Sequence, residues 1–201
     1  MCDGRRITVI DRWPDRWPDR GPDGRPDDAN IAQRLAHLQL LRALTTAAGA
    51  SLIVKGRGDL ALTVGADGLH LGERSITTAD ARRFGLPIGR ACHDLSGLLS
   101  CRADWATLSP VAAPISKAAT SAPLGVEGFG NLLRALERLG GALPVYALGG
   151  IAVDLVGPLR AEGAAGIAVI GSVLQAKTPG RAANALLVAW DAAEPEVPGV
   201  G

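Results

Sequence analysis

Two short apolar segments in the C-terminal half of the chain constrain its fold most. Pro144–Ile151 and Gly163–Ser172 are each apolar runs of strand length that end in small residues. The stretch between them, residues 152–162, has the length of one helix. Strand, helix and strand in this order predict a β-α-β unit, the building block of parallel sheets.

The same alternation of strand and helix continues through the rest of the sequence. A chain of 201 residues is long enough for one α/β domain with a sizeable core. We therefore expect a single domain over residues 1–201 with a TIM-barrel-like (β/α)8 fold, degenerate to about seven core strands. The predicted strands lie near residues 7, 52, 69, 89, 106, 145 and 168.

One β-α unit is predicted to be reduced near residues 11–29. This segment is an imperfect repeat of Asp-Arg-Trp-Pro, and its frequent proline excludes regular helix or sheet. We expect an irregular loop; an active-site flap or partner arm that uses Trp13 and Trp17 is the alternative. The reduced unit would leave unpaired amides that this segment or a second subunit must cover, and we expect a homo-oligomer. Residues 193–201 are predicted to be a frayed tail.

Composition excludes several classes of partner. The net charge is +1 without a long basic block, so we expect no nucleic acid partner. The longest apolar runs are of strand length, so we expect no membrane span. Cys2, Cys92 and Cys101 lack metal-site spacing and are interpreted as reduced thiols of a cytoplasmic protein. With only three histidines, we expect no metal site.

The glycines that follow the two opening strands are the first candidate site. In (β/α)8 barrels the loops after the last two strands form the usual phosphate site, and glycine lets phosphate oxygens reach the backbone N–H groups. We therefore expect a phosphorylated small molecule to bind at Gly149, Gly150, Gly171 and Ser172. A tight turn would equally explain the Gly149–Gly150 pair.

Three further residues are candidates for catalysis or ligand binding. His93 follows the predicted strand Ile88–Cys92 and could move a proton, or it could cap a helix or bond a carbonyl. Lys117 could meet a phosphate, or it could be an exposed loop lysine. Gly128 lies in the glycine-rich stretch 125–130, which we interpret as a mobile loop that closes over the mouth of the barrel, and Gly128 is a candidate phosphate contact.

Lys55 and His70 are possible pocket residues. Lys55 directly follows a predicted strand end, so it faces the same edge of the sheet as the other candidates. His70 lies inside the predicted strand Gly68–Leu71, on the face opposite its leucines. A packed core histidine is the alternative interpretation of His70.

Several short motifs, taken together, resemble the thiamine-phosphate synthase family of (β/α)8 barrels. The resemblance extends over about residues 48–176. Its motifs follow the family order and spacing, at 66–72, 88–93, 103–105, 147–151 and 163–170.

The synthase branch of that family joins a hydroxymethylpyrimidine diphosphate to a thiazole phosphate. The resemblance implies Mg²⁺ on the pyrophosphate, held by two Asp residues. Gly56 stands at the first of these positions, and 73–75, which begins with Glu73, stands at the second. The family's Gln-Leu-Arg-x-Lys strand is not recognisable. Mg²⁺ would be required only if this synthase alternative holds.

The thiazole tautomerase branch resembles the chain better at these positions and places its proton-shuttling histidine at His93. The resemblance thus implies a metal-free isomerase without cofactor that aromatises a thiazole carboxylate phosphate. Its ligand would be a small phosphorylated thiazole. The alternatives are the synthase and a non-catalytic barrel that binds a thiazole or thiamine phosphate, or a partner protein.

Overall fold

The structure is a computed structural model that describes residues 8–10, 28–113 and 122–193. The chain divides into two compact units, Met1–Arg90 and Ala91–Gly201. Most of the predicted proline-rich segment, residues 11–27, lies outside the described residues, as do residues 194–201 of the predicted tail. The remaining two residues of that segment, 28–29, belong to a helix, which therefore begins earlier than expected.

The first unit alternates strands with helices. Strand β3 pairs in parallel with β2 and β4, and β1 pairs in parallel with β2. The last strand, β4, begins in this unit and ends in the next. In chain order the elements are β1 Thr8–Ile10, α1 Asp28–Ala47, β2 Ser51–Lys55, α2 Gly58–Thr63, β3 Gly68–Leu71, α3 Thr78–Ala81, a short 3-10 helix Arg82–Phe84, and β4 Ile88–Cys92.

The core of the first unit lies between one face of its strands and its helices. Leu52 and Val54 of β2 and Leu69 and Leu71 of β3 pack there, together with Leu38 of α1. Side chains alternate between the two faces of a strand. The opposite face of β2 and β3 therefore carries Ile53, Lys55 and His70.

The second unit repeats the alternation. Strand β6 pairs in parallel with both β5 and β7. Its elements after β4 are α4 Leu95–Ser100, β5 Trp105–Leu108, α5 Gly125–Arg138, β6 Val145–Leu148, α6 Val153–Ala161, β7 Gly166–Ala168, α7 Gly171–Leu174 and α8 Pro179–Ala192.

Helix α5 replaces the glycine-rich loop that the sequence analysis expected at residues 125–130. Phe129 is fully buried and Leu136 nearly so, and both belong to the core of the second unit. Burial of this apolar face outweighs the weak helix propensity of three glycines, because packing supplies most of the stability of a helix in a protein. Gly130 also lacks space for a side chain, since a Cβ there would collide with the Glu162 carboxylate.

The seven strands predicted from the sequence are all present among the described residues. Between β1 and β2, residues 28–50 contain helix α1 and no strand, as expected for a reduced unit. The four-residue helix α7 was not predicted. In the part of the chain that the structure describes, no helix has both the length and the apolar character needed to cross a membrane.

Asp67 ties helix α1 to the strands of the first unit. Its Oδ2 accepts a hydrogen bond from the backbone N–H of Leu52 at 2.7 Å and another from Nη1 of Arg42 at 2.8 Å. The same Arg42 nitrogen also donates to the carbonyl of Gly65. This carboxylate precedes β3, at the end of the strand opposite to the candidate site, so its role is structural.

We expect Asp67→Ala to lower the free energy of unfolding by about 1–2 kcal/mol, because it leaves the partly buried Leu52 N–H and the Arg42 guanidinium without this acceptor. Urea denaturation followed by circular dichroism measures the change. The exposed Glu137 of α5 provides the control, since Glu137→Ala should change the same quantity by no more than about 0.5 kcal/mol. Equal effects of the two variants would contradict the role assigned to Asp67.

Candidate functional site

Lys55 and His70 lie side by side in the first unit. They are Cα partners in the parallel register of β2 and β3, and both stand on the face away from the leucine core. The Arg34 guanidinium donates to the Lys55 carbonyl at 2.7 Å and fixes the end of β2. Only 6% of His70 is exposed, and this burial agrees with the alternative interpretation of His70 as a packed core histidine.

The surroundings of His70 keep its imidazole neutral. Burial, and then the nearby positive charge of Lys55, lower the pKa of His70 to about 4. Both effects disfavour the imidazolium, because a charge loses hydration in the interior and is repelled by the ammonium. Near neutral pH this pair therefore carries its positive charge on Lys55.

A tight turn follows β3 directly. The backbone N–H of Gly72 donates to Oγ of Ser75 at 3.0 Å, and the Ser75 N–H donates to the Gly72 carbonyl at 3.1 Å. Arg90 of β4 donates to the carbonyls of Ile76 and Glu73, at 3.0 and 3.5 Å. These bonds hold the turn against the carboxyl ends of β3 and β4.

Few side-chain oxygens that could bind a divalent metal ion follow β2 and β3. Gly56 offers no side-chain oxygen, and the Asp59 carboxylate is engaged by the Arg57 guanidinium at 2.8 and 2.5 Å. That hydrogen bond lowers the pKa of Asp59. Among residues 8–10, 28–113 and 122–193, no group of three His, Cys, Asp or Glu side chains could hold a metal ion. Mg²⁺ is usually held in proteins by one or two carboxylates together with waters and substrate phosphates, and here Glu73 offers one carboxylate while Gly56 offers none.

In the second unit, His93 stands directly after β4, as predicted. Its Nδ1 lies 2.7 Å from the carbonyl oxygen of Ser109 and 3.4 Å from that residue's Oγ. A carbonyl oxygen only accepts, so Nδ1 carries the proton and Nε2 of the neutral ring presents a lone pair. The side chain therefore bonds a carbonyl and still keeps one nitrogen for a ligand. Helix α4 is capped by Asp94, whose carboxylate accepts from Gly97 N–H at 2.7 Å.

Gly149 and Gly150 have positive φ angles of 99° and 63° and face the segment 109–113. A Cβ on Gly150 would lie 2.7 Å from the Ala113 carbonyl oxygen, and one on Gly149 would lie 3.0 Å from Cα of Pro110. Two backbone hydrogen bonds join these segments, from Val111 to Leu148 at 3.0 Å and from Ala112 to Gly149 at 2.9 Å. The close approach of two chain segments thus requires glycine here, whether or not a phosphate binds.

Gly171 and Ser172 are the first two residues of α7. The Ser172 hydroxyl donates a hydrogen bond to the carbonyl of Ile151, immediately after Gly150. The structure therefore brings four of the predicted phosphate residues into one region of the second unit, through a side-chain contact that sequence reasoning missed. The pattern of a serine after a strand does not reveal which carbonyl it meets.

The outcome differs for the remaining two candidates, Gly128 and Lys117. Gly128 lies in the first turn of α5 instead of in a mobile loop, so the predicted closing loop at 125–130 is wrong. Lys117 lies outside the described residues. The segment that contains it is held at both ends, because Leu124 and Gly125 donate backbone hydrogen bonds to Pro110 and Val111, each at 2.9 Å.

Comparison with known proteins adds evidence on family and fold. Residues 24–173 match the family model described as "Thiamine monophosphate synthase". A thiamine-phosphate synthase from Chloroflexus aurantiacus is 36% identical over 163 residues, which are 79% of this chain and 73% of that protein. A thiamine-phosphate synthase from Chlorobium luteolum is 38% identical over 146 residues, 70% of this chain and 66% of that protein.

A solved structure is similar as well. Thiamine phosphate pyrophosphorylase from Pyrococcus furiosus superposes with a TM-score of 0.71 and 27% identity, over 82% of this chain and 79% of that one. The expected fold class, an α/β fold of parallel strands similar to a TIM barrel, is confirmed by this likeness.

The expected tautomerase activity is not supported. These relatives are named thiamine-phosphate synthase, and the matching family model carries the same description. The similarities thus favour a transferase over an isomerase. The expected role of His93 as the proton shuttle of a tautomerase is therefore not supported either. The local motifs at Gly56 and His93 are less informative than the similarity over residues 24–173.

The neutral state of His70 predicts a pH dependence of stability. The folded pKa of about 4 lies below the ordinary value of 6.5, so the unfolded chain binds more protons between these values. The contribution is complete above about pH 6.5 and is lost as the pH falls toward 4, and it amounts to about 3 kcal/mol. Urea denaturation across this window should show the loss in the wild type. His70→Gln should lack that part of the slope, and an unchanged slope in this variant would refute the assignment.

The close approach at Gly150 predicts a large effect of one methyl group. Gly150→Ala should lower the free energy of unfolding by more than about 2 kcal/mol, since a positive φ is combined with a backbone collision. Gly140 is the matched control: its φ is 77° and nothing lies within 4 Å of its Cβ position. Gly140→Ala should cost only about 1 kcal/mol from φ strain. Equal losses in urea denaturation would exclude the collision.

Proposed function

Since the chain belongs to the thiamine monophosphate synthase family, we propose that it is a transferase that joins a pyrimidine diphosphate to a thiazole phosphate and releases pyrophosphate. The observation that carries this proposal is the match of residues 24–173 to the family, supported by the structural likeness to the Pyrococcus furiosus protein. The bond that forms links the two heterocycles, and the bond that breaks joins the pyrimidine methylene to its diphosphate.

We place the phosphate of the thiazole substrate at the backbone of Gly149, Gly150, Gly171 and Ser172. The Ser172 hydroxyl is occupied by the Ile151 carbonyl, so it holds the two backbone segments together instead of reaching for the phosphate. The N–H groups of these segments are then the donors for an anion, as is usual after the last strands of this fold. Lys117 and Gly128 remain predicted contacts of the same phosphate.

His93 is the residue of this unit that can contact a substrate through a nitrogen lone pair. Its Nδ1–H is used by the Ser109 carbonyl, which fixes the ring at the carboxyl end of β4. Nε2 then accepts a hydrogen bond from a substrate donor. The Ser109 N–H donates to the Cys92 carbonyl at 3.1 Å, so the carbonyl that orients the ring is itself anchored to the strand.

The activity is tested by incubating the full chain with hydroxymethylpyrimidine diphosphate and thiazole phosphate in the presence of MgCl₂, since the resemblance to the synthase branch implies Mg²⁺ on the pyrophosphate. We expect thiamine phosphate and pyrophosphate in equal amounts, measured by chromatography and by a coupled pyrophosphate assay. Absence of product above the enzyme-free rate, at saturating concentrations of both substrates, would overturn the proposal.

One variant of His93 distinguishes the donor role of Nδ1 from the acceptor role of Nε2. In His93→Asn the amide NH₂ can still donate to the Ser109 carbonyl, whereas the acceptor at Nε2 is lost. We expect kcat/KM to fall by at least about tenfold, the loss expected for one hydrogen bond of about 1.4 kcal/mol. The control is His37→Asn on the exposed face of α1, which should retain wild-type kinetics.

A further inference from the structure

We propose that helix α1 is a docking surface for a second copy of this chain, which packs against it across a two-fold axis. The surface concerned, called here the neutral face, consists of Ala36, Leu40, Ala43, Leu44 and Ala47. The inference does not depend on the proposed function, because it concerns the outer side of a helix and no substrate.

The neutral face is apolar and exposed. Leu40 and Leu44 are 59% and 57% exposed, and its three alanines are exposed as well. The spacing of the five residues, at i, i+4, i+7, i+8 and i+11, places them on one side of the helix. The opposite side carries Leu38, which is fully buried in the core of the first unit. Helix α1 therefore presents apolar side chains both to the core and to its outer side.

The neutral face also lacks charge. From residue 31 to the end of α1 the charged residues are two arginines, and both are engaged within the first unit. Arg34 is buried and donates to the Lys55 carbonyl at 2.7 Å, and Arg42 pairs with Asp67 at 2.8 Å. The exposed His37 lies only at the edge of the face. Helices α5 and α8, by contrast, expose charged side chains in their first and last turns.

This lack of charge decides which partner suits the face. A helix that lies on a membrane surface carries lysines and arginines beside its apolar stripe, and both arginines of α1 are engaged by the protein itself. A nucleic acid or a strongly charged protein requires charges of opposite sign. A second neutral face meets the first without leaving a buried charge unpaired. Every other copy of the chain carries such a face.

A two-fold axis near Leu40 makes the two surfaces complementary. An axis that crosses a helix in this way pairs the helix antiparallel with its copy. Leu44 then lies opposite the partner's Ala36, so that each leucine meets a small residue and the side chains can interdigitate. A helix face that extends over residues 32–47 is about 24 Å long and about 10 Å wide. This is less than the roughly 800 Å² per partner of a standard interface, so we expect reversible association with a Kd on the order of micromolar.

Sedimentation velocity of the full chain at increasing concentrations measures the association. We expect the wild type to change from monomer to dimer, with a Kd that differs little between low and high NaCl. Leu40→Glu and Leu40→Lys should each weaken association about tenfold or more, because like charges then meet at the axis. An equimolar mixture of these two variants should regain association, since opposite charges then meet, and high NaCl should weaken the regained association.

Leu139→Glu is the matched control, because Leu139 of the second unit is 62% exposed and the same charge is introduced there. It should associate like the wild type. Recovery in the mixture would also show that both Leu40 variants are folded. The inference is overturned if the wild type stays a monomer up to about 1 mM, far above the expected Kd. It is equally overturned if the Leu40 variants associate like the wild type, if Leu139→Glu disrupts association to the same extent, or if the mixture stays monomeric.

Discussion

Parallel pairing of the strands is the constraint on which the rest of the structure depends. In a parallel sheet the carboxyl ends of neighbouring strands meet at one edge, so residues far apart in sequence become neighbours. In the first unit this pairing places Lys55 beside His70 and the turn after β3. In the second unit it places Gly149 one strand from the segment that follows β5, and joins Ile151 to the start of α7. Each group of candidate residues is therefore a consequence of strand direction.

Under the proposed function, the two groups would bind anions in different ways. In the second unit the donors would be backbone N–H groups, which carry no net charge, at a place where glycines and a serine hold two chain segments close together. In the first unit a single ammonium stands beside a buried neutral imidazole. Burial next to a cation makes His70 a poor site for a proton, and this leaves one defined charge in the pair instead of two competing ones. A phosphorylated substrate and a leaving group with higher charge would be matched by these two kinds of surroundings.

The strands could be predicted from the sequence because buried parallel strands are short apolar runs bounded by glycine, proline and polar residues. Ile88–Cys92 and Gly68–Leu71 have the bounds that these patterns indicate. The loop predicted at 125–130 is a helix in the structure. Local glycine content favours a loop, whereas the helix depends on burial of Phe129, a tertiary effect. The positions of the candidate residues at strand ends were also predictable. Their contacts were not: the bond from His93 to Ser109 and the backbone that faces Gly150 involve partners 16 and about 40 residues away.

The paired anchors at either side of residues 114–121 have a consequence for how this fold can vary. Backbone hydrogen bonds from Leu124 to Pro110 and from Gly125 to Val111 close that stretch at its base, so its ends stay adjacent whatever lies between them. The entropic cost of closing a loop grows only slowly with its length. Insertions or deletions within the stretch would therefore leave the anchored residues after β5 and at the start of α5 in place.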